Sequence, residues 1–215
     1  MGNGPCESDP PRPTGTPPEE GNENEIPSFG GVAKPGWVGN KGDIMKTLLV
    51  VLLGLFASRA WALQVGDPAP DISAPSTSGK DVKFSDLKGS WVVLYFYPKA
   101  FTPGCTAESC SLRDGYADIQ KLGATILGVS LDNMPTQIDF KAKYHLPFDP
   151  LSDSKKEVAK AFDSLGLVGM MAQRKTFVIN PEGKIAYIFD KVNTGAHDKE
   201  VAGVLKDLQA KAGAQ

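Results

Sequence analysis

Histidine and cysteine are scarce in this chain of 215 residues, which has two of the first and three of the second. His145 and His197 are far apart in sequence, and Cys105 and Cys110 show a C-x4-C spacing that does not suit a zinc knuckle. No metal site is therefore expected. Glycine-rich cofactor-binding motifs are missing too, so no cofactor is expected. Neither sign of charge dominates: 23 Lys and Arg stand against 25 Asp and Glu, a formal net charge of −2. That balance offers no basic excess for nucleic acid and no acidic block to act as a solvating tail. No internal repeat is visible.

What is present divides into three parts. Residues 1–44 carry Pro and Gly throughout (PCESDPPRPTGTPP), with few aliphatics. Such a stretch buries too little apolar surface to offset its ordering entropy, and it reads as disordered, Cys6 included. Residues 45–62, MKTLLVVLLGLFASRAWA, put one Lys before an apolar run and end in Ala60-Trp61-Ala62. The run, Leu48 to Ala57, is about ten residues, too short to span a bilayer of roughly 30 Å as a helix. Its anatomy is that of a secretory signal peptide with a small-x-small cleavage site. Met45 then stands where a chain start belongs, with residues 1–44 as an upstream over-extension. The expectation is an exported, periplasmic protein with no stable membrane insertion after cleavage. Residues 63–215 form the remaining domain, with 18 basic and 18 acidic residues.

Within that domain the pattern alternates. Lys80 to Phe84 suggests an edge strand, and Trp91 to Tyr97, rich in Val and aromatics, a buried one. Pro103 to about Leu122 reads as a helix ended near Gly123. Ala124 to Ser130 is a second buried run. Thr136 to Tyr144 has helical spacing with Ile138, Phe140 and Tyr144 apolar, and Ser154 to Phe162 gives another helix capped by Asp153 or Ser154. Lys175 to Ile179 and Ile185 to Phe189 flank a Pro181–Lys184 turn as a hairpin. Ala196 to Ala212 closes the chain as a helix with Val201, Val204, Leu205 and Leu208 on one face. Strands alternating with helices predict an α/β sandwich.

The chain is organised around YFYPKAFTPGCTAESCSLR, Tyr95 to Arg113. Thr102 is a good N-cap and Pro103 suits the first helical position. Cys105 then falls in the first turn, where a capping box would place a carboxylate against free amides and the positive end of the helix dipole. A thiolate is the anion such a place favours, so Cys105 reads as a redox-active nucleophile.

Pro98, Thr102 and Cys105 stand as P-x-x-x-T-x-x-C at a strand end, and TPGCT is followed by a second cysteine, Cys110. With GVSLD (128–132), KYHLPFDPLSD (143–153) and RKTFVINPEGKI (174–185), this closely resembles the Q-type peroxiredoxins, from Val65 to the final helix. The resemblance implies a thioredoxin-like fold, a central mixed sheet flanked by helices. It implies reduction of hydrogen peroxide and organic hydroperoxides, with thioredoxin or a thioredoxin-like protein as reductant, and a monomer. Cys105 would be peroxidatic, Cys110 resolving, and Arg174 would aim its guanidinium at thiolate and peroxide. Thr102 would hydrogen-bond the peroxide, and Pro98 would shield the sulfur.

Read alone, Thr102 is an N-cap, Arg174 a solvated charge, Pro98 a strand terminator and Cys110 a small core residue. Five residues of α-helix separate the two cysteine Cα atoms by roughly 8–9 Å. A disulfide wants about 5.5–6 Å, so the two cannot bond while the helix is wound. Met170 and Met171 read as loop packing, or as an apolar lip beside the site, and His145 as a packing or solvent-facing residue. Lys99-Ala100-Phe101 replaces the acidic residues common before TPGCT in the Q type, an approach favouring larger organic peroxides. The leader departs from a mostly intracellular family and points to a periplasmic thioredoxin-like donor. Two alternatives stand beside the peroxidase: a thiol–disulfide oxidoreductase, which would use C-x-x-C, and a secreted module with a structural disulfide.

Overall fold

The computed structural model describes residues 62–213. The disordered segment expected over 1–44 and the leader, apart from Ala62, lie outside them.

Two short strands, β1 (Ser73–Pro75) and β2 (Asp81–Lys83), form an antiparallel pair of their own. A 3-10 turn, Phe84–Leu87, leads to β3 (Trp91–Phe96). Then come α1 (Pro103–Asp114), α2 (Tyr116–Lys121), β4 (Ala124–Ser130), α3 (Met134–Tyr144), β5 (Asp149–Ser152) and α4 (Glu157–Ala161). The hairpin β6 (Lys175–Ile179) and β7 (Ile185–Phe189) precedes α5 (His197–Ala212). The main sheet runs β5-β4-β3-β6-β7, with β3, β4 and β5 mutually parallel and β6 and β7 antiparallel to their neighbours. This is the mixed sheet of a thioredoxin-like fold.

β3 is apolar on both faces because both are covered. Val93, Tyr95 and Tyr97 enter one core with Leu112, Ile119, Phe140, Val201 and Leu205 from α1, α2, α3 and α5. Val92, Leu94 and Phe96 enter the other with Phe84, Val158, Phe162 and Phe177. Phe162 meets Phe96 at 5.7 Å and Phe177 at 5.3 Å between ring centroids.

The structure departs from the sequence expectations in places that have local causes. The single helix expected from Pro103 to Leu122 breaks at Gly115, where a Cβ would lie 2.4 Å from the Asp198 Cβ. The close approach of α5 sets that boundary. α3 begins at Met134 because the Asn133 side chain accepts the Thr136 N–H at 3.0 Å. Its inward position is Gln137 and not Ile138, which is 48% exposed. β5 was not expected; its Pro150 sits at the sheet edge, where a missing N–H is tolerated. Asp153 does cap α4, but across a left-handed Lys156, accepting from Val158 and Ala159 N–H groups at 3.1 and 2.7 Å.

Candidate active site

β3 delivers the chain to the site. Beyond Phe96 the Tyr97 N–H still donates to the Val129 carbonyl at 3.0 Å, and half-buried Pro98 then leaves the sheet. Phe101 adopts the left-handed region (φ 64°), which is strained for a residue with a Cβ. Two contacts hold the loop there. The Phe101 ring packs edge-on to Phe140 at 5.3 Å, and the neighbouring Ala100 N–H donates to Asp132 Oδ2 at 2.8 Å. Asp132 also accepts from the Ser130 hydroxyl at 2.8 Å. Gln137 donates to that hydroxyl at 2.6 Å and accepts from the Tyr97 hydroxyl. This buried relay fixes the loop to β4 and α3.

The turn at Phe101 starts α1 at Pro103 with Thr102 as N-cap. Thr102 occupies the expected position but not the expected bond. Its hydroxyl makes no cap and donates to the Lys99 carbonyl at 2.9 Å. With its proton engaged there, the oxygen offers lone pairs. The first-turn amides, the Cys105 N–H among them, are left without intrahelical partners.

Cys105 is a free thiol, 1% exposed. Arg174, just ahead of β6, donates from Nη2 to its Sγ at 3.3 Å. The same guanidinium donates from Nη1 to Glu108 Oε2. Gly104 makes room for it: a Cβ there would lie 3.2 Å from Arg174 Nη2. Arg174 is thus held from two sides, by a carboxylate and by a sulfur on one helix face (i, i+3).

Glu108 is fully buried, with Oε1 unpartnered. Burial pushes its carboxyl up to about 7, against the pull of Arg174. The neighbouring Ser109 hydroxyl pairs with the buried Tyr95 hydroxyl at 3.0 Å. Cys110, also buried, faces the core with Leu112 and Val201. One residue on, Ser111 donates to Asp198 Oδ1 at 2.7 Å, which pins the far half of α1 to α5.

The structure therefore brings Cys105 and Arg174 into contact, with Thr102 at the helix start, Pro98 at the strand end and Cys110 further along the wound helix. Sequence reasoning missed Glu108 and Asp132. The signal for Glu108 was its place three residues after Cys105, on the same side of the helix.

The remaining expectations divide. His145 is solvent-exposed in a left-handed C-cap, φ 51°. Met170 and Met171 do not pack: they are 70% and 49% exposed, beside exposed Leu167 and Val168. The segment closes on its own backbone instead, through the Leu165–Ala172 bridge and the Gly166 N–H to Met171 carbonyl bond at 2.9 Å. Its side chains are left outside. His197 is buried, Nε2 paired with Thr176 Oγ1 at 2.9 Å and Nδ1 with Glu200 Oε2 at 3.2 Å.

The AhpC/TSA family model matches residues 65–188. Peroxiredoxin Bcp of Bacillus subtilis (strain 168) is 40% identical over 155 residues, 69% of this chain and 99% of that protein. Peroxiredoxin Bcp of Escherichia coli (strain K12) is 38% identical over 151 residues, 67% of this chain and 97% of the other. Among solved structures, Xanthomonas campestris peroxiredoxin Q aligns with a TM-score of 0.61 and 32% identity, covering 67% of this chain and 96% of its own. With that match over residues 65–188, the chain belongs to the AhpC/TSA family as a Bcp/Q-type peroxiredoxin, a thiol-dependent peroxidase.

Proposed function

We propose that Cys105 is the peroxidatic cysteine of this peroxidase and that Cys110 resolves it. The observation that carries this reading is the Arg174 Nη2 to Cys105 Sγ contact at 3.3 Å, at a helix N-terminus. A hydroperoxide enters beside Thr102, whose free lone pairs accept the peroxide O–H. The Cys105 thiolate attacks one peroxide oxygen: an S–O bond forms, the O–O bond breaks, and sulfur is oxidised to the sulfenic acid. The other oxygen leaves as hydroxide or alkoxide and takes a proton from water. Arg174 faces the sulfur at the start and the developing oxyanion at the end, with no reorganisation needed. Pro98 and Ala100 border the approach and limit water at the sulfur.

In the second step Cys110, which is disulfide-bonded in this structure, must first be reduced; its thiolate then attacks the sulfenic sulfur, hydroxide leaves, and the disulfide with Cys105 forms. α1 is continuous from Pro103 to Asp114, so this step requires its first turns to unwind. A dithiol protein of the thioredoxin type then returns both cysteines to thiols and is itself oxidised. Ala100 and Phe101 make the approach apolar, which suits organic hydroperoxides as well as hydrogen peroxide. The leader read in residues 45–62 would place the enzyme, a monomer, outside the cytoplasm beside a periplasmic donor.

The test is stopped-flow tryptophan fluorescence of reduced protein mixed with peroxide. A fast phase absent in Cys105→Ser and a slower one absent in Cys110→Ser support the assignment. Equal traces in wild type and Cys105→Ser refute it.

A further inference from the structure

Among the described residues few large apolar side chains are left exposed, and Leu167, Val168, Met170 and Met171 stand together within one loop. The others, Val65, Ile138 and Tyr187, are scattered singly, as on any protein surface. A closed backbone holds the four outward. The Gly169 N–H donates to the Gly166 carbonyl at 2.7 Å, the Gly166 N–H to the Met171 carbonyl at 2.9 Å, and Gln173 Nε2 to the Leu165 carbonyl at 3.2 Å. Beyond Gln173 comes Arg174, whose guanidinium touches the Cys105 sulfur at 3.3 Å. We propose that Leu167, Val168, Met170 and Met171 form the docking surface for the dithiol protein that reduces the oxidised enzyme. The proposal deepens the donor reading given above and rests on it.

The occupant follows from reach and from area. In the reduction a donor thiolate attacks one sulfur of the Cys105–Cys110 disulfide, a mixed disulfide forms, and the other sulfur leaves as thiolate. The donor's second thiol then displaces the enzyme's sulfur, so that two electrons and two protons pass from donor to enzyme. Each step needs sulfurs at about 2 Å, which brings the donor's face against the mouth of the site. Three residues of backbone span at most about 11 Å, so Met171 lies within that distance of Arg174. Redox encounters bury less than about 1,200 Å² in total, a patch that extends roughly 14 Å from its centre. A donor centred on the site therefore meets the loop. A permanent dimer would need more, about 20–30 residues a side, than four side chains with exposed Lys99 and Pro103 supply. An anionic lipid surface would call for a basic fringe. The loop is flanked instead by Asp163 and by Lys175, which pairs with Asp190 at 3.5 Å. An apolar centre with a polar rim is the anatomy of a protein interface, and unbranched thioethers adapt to a short-lived partner.

The experiment compares hydrogen peroxide turnover of the full chain on two reductants, dithiothreitol and a thioredoxin kept reduced by its reductase. In the quadruple variant Leu167→Ser, Val168→Ser, Met170→Gln, Met171→Gln, kcat/KM for thioredoxin should fall about tenfold or more. Turnover on dithiothreitol and the stopped-flow attack phase should stay as in wild type. A second measurement needs no variant of the enzyme: a thioredoxin with its second cysteine replaced by Ser traps the mixed disulfide, and amide exchange in that adduct should slow over residues 165–172. Equal losses on both reductants, or an adduct whose loop exchanges as in the free enzyme, would overturn the proposal. So would a dimer, or binding to anionic vesicles, that the wild type shows and the quadruple variant loses. Thioredoxin that serves wild type and variant alike overturns the docking surface alone. Thioredoxin that fails to reduce the wild type overturns the donor reading, and the docking surface with it.

Discussion

The carboxylate of Asp132, two residues beyond β4, accepts the backbone N–H of Ala100 at 2.8 Å. Residues 32 apart are thereby joined so that the loop before α1 cannot drift. Asp132→Ala leaves that N–H and the Ser130 hydroxyl short of an acceptor, a loss of about 1–3 kcal/mol in stability. The first-order expectation is a lower melting temperature with slower peroxide attack, because Phe101 loses half of what holds its left-handed turn. Asp132→Asn, which keeps an acceptor oxygen, should recover most of both.

Gly104 separates function from stability. A Cβ at 3.2 Å from Arg174 Nη2 forces the guanidinium that contacts sulfur to shift by a few tenths of an ångström. Alanine is also the better helix former, by about 0.8–1 kcal/mol in a helix interior and less near an end. Gly104→Ala should melt no lower than wild type while attack on peroxide slows several-fold, as about 1 kcal/mol of misplacement in a transition-state contact would give. Stopped-flow attack rates beside a thermal melt check both halves.

His197 gives acid sensitivity. Burial lowers its basicity below the ordinary 6.5, against the pull of Glu200 and Asp198. Its neutral form is the folded one, so its contribution is full above about pH 6.5 and is lost as pH falls through the lowered value. Glu108 works in the opposite sense over the range from 4.5 to about 7. Thermal melts from pH 8 to 5 should show His197→Gln losing less stability on acidification than wild type, and Glu108→Gln losing more.

Oxidation should cost helix. Because α1 spans both cysteines, an intramolecular disulfide between them removes about two turns. Far-ultraviolet circular dichroism of the peroxide-treated protein should show reduced helicity, restored by dithiothreitol. The Cys110→Ser protein should show no such change.

The elements legible in the sequence are those whose cause is local. Pro103 after Thr102, the apolar runs of β3 and β4, and the turn with Gly183 (φ 77°) between β6 and β7 announce themselves without the rest of the chain. What escaped is set by contacts between distant segments. The break at Gly115 depends on Asp198, the burial of Gln137 on Ser130 and Tyr97, and β5 on an edge of the sheet that only the assembled fold offers. In the site, Cys105 and Thr102 could be placed from the helix start alone. Arg174 came from family resemblance, and Glu108, which holds it, came only from the structure. Thr102 shows the limit at close range: its cap position was readable, but the choice of the Lys99 carbonyl as partner follows from the Phe101 turn.

The most direct test of the account is chemical trapping at sulfur. Reduced Cys110→Ser is mixed with one equivalent of hydrogen peroxide in the presence of a sulfenic-acid-specific carbon nucleophile, and the adduct is located by peptide mass spectrometry. The account predicts one adduct per chain, on Cys105, and none in Cys105→Ser. Peroxide left unconsumed with no adduct, or an adduct on Cys6 in place of Cys105, would contradict it.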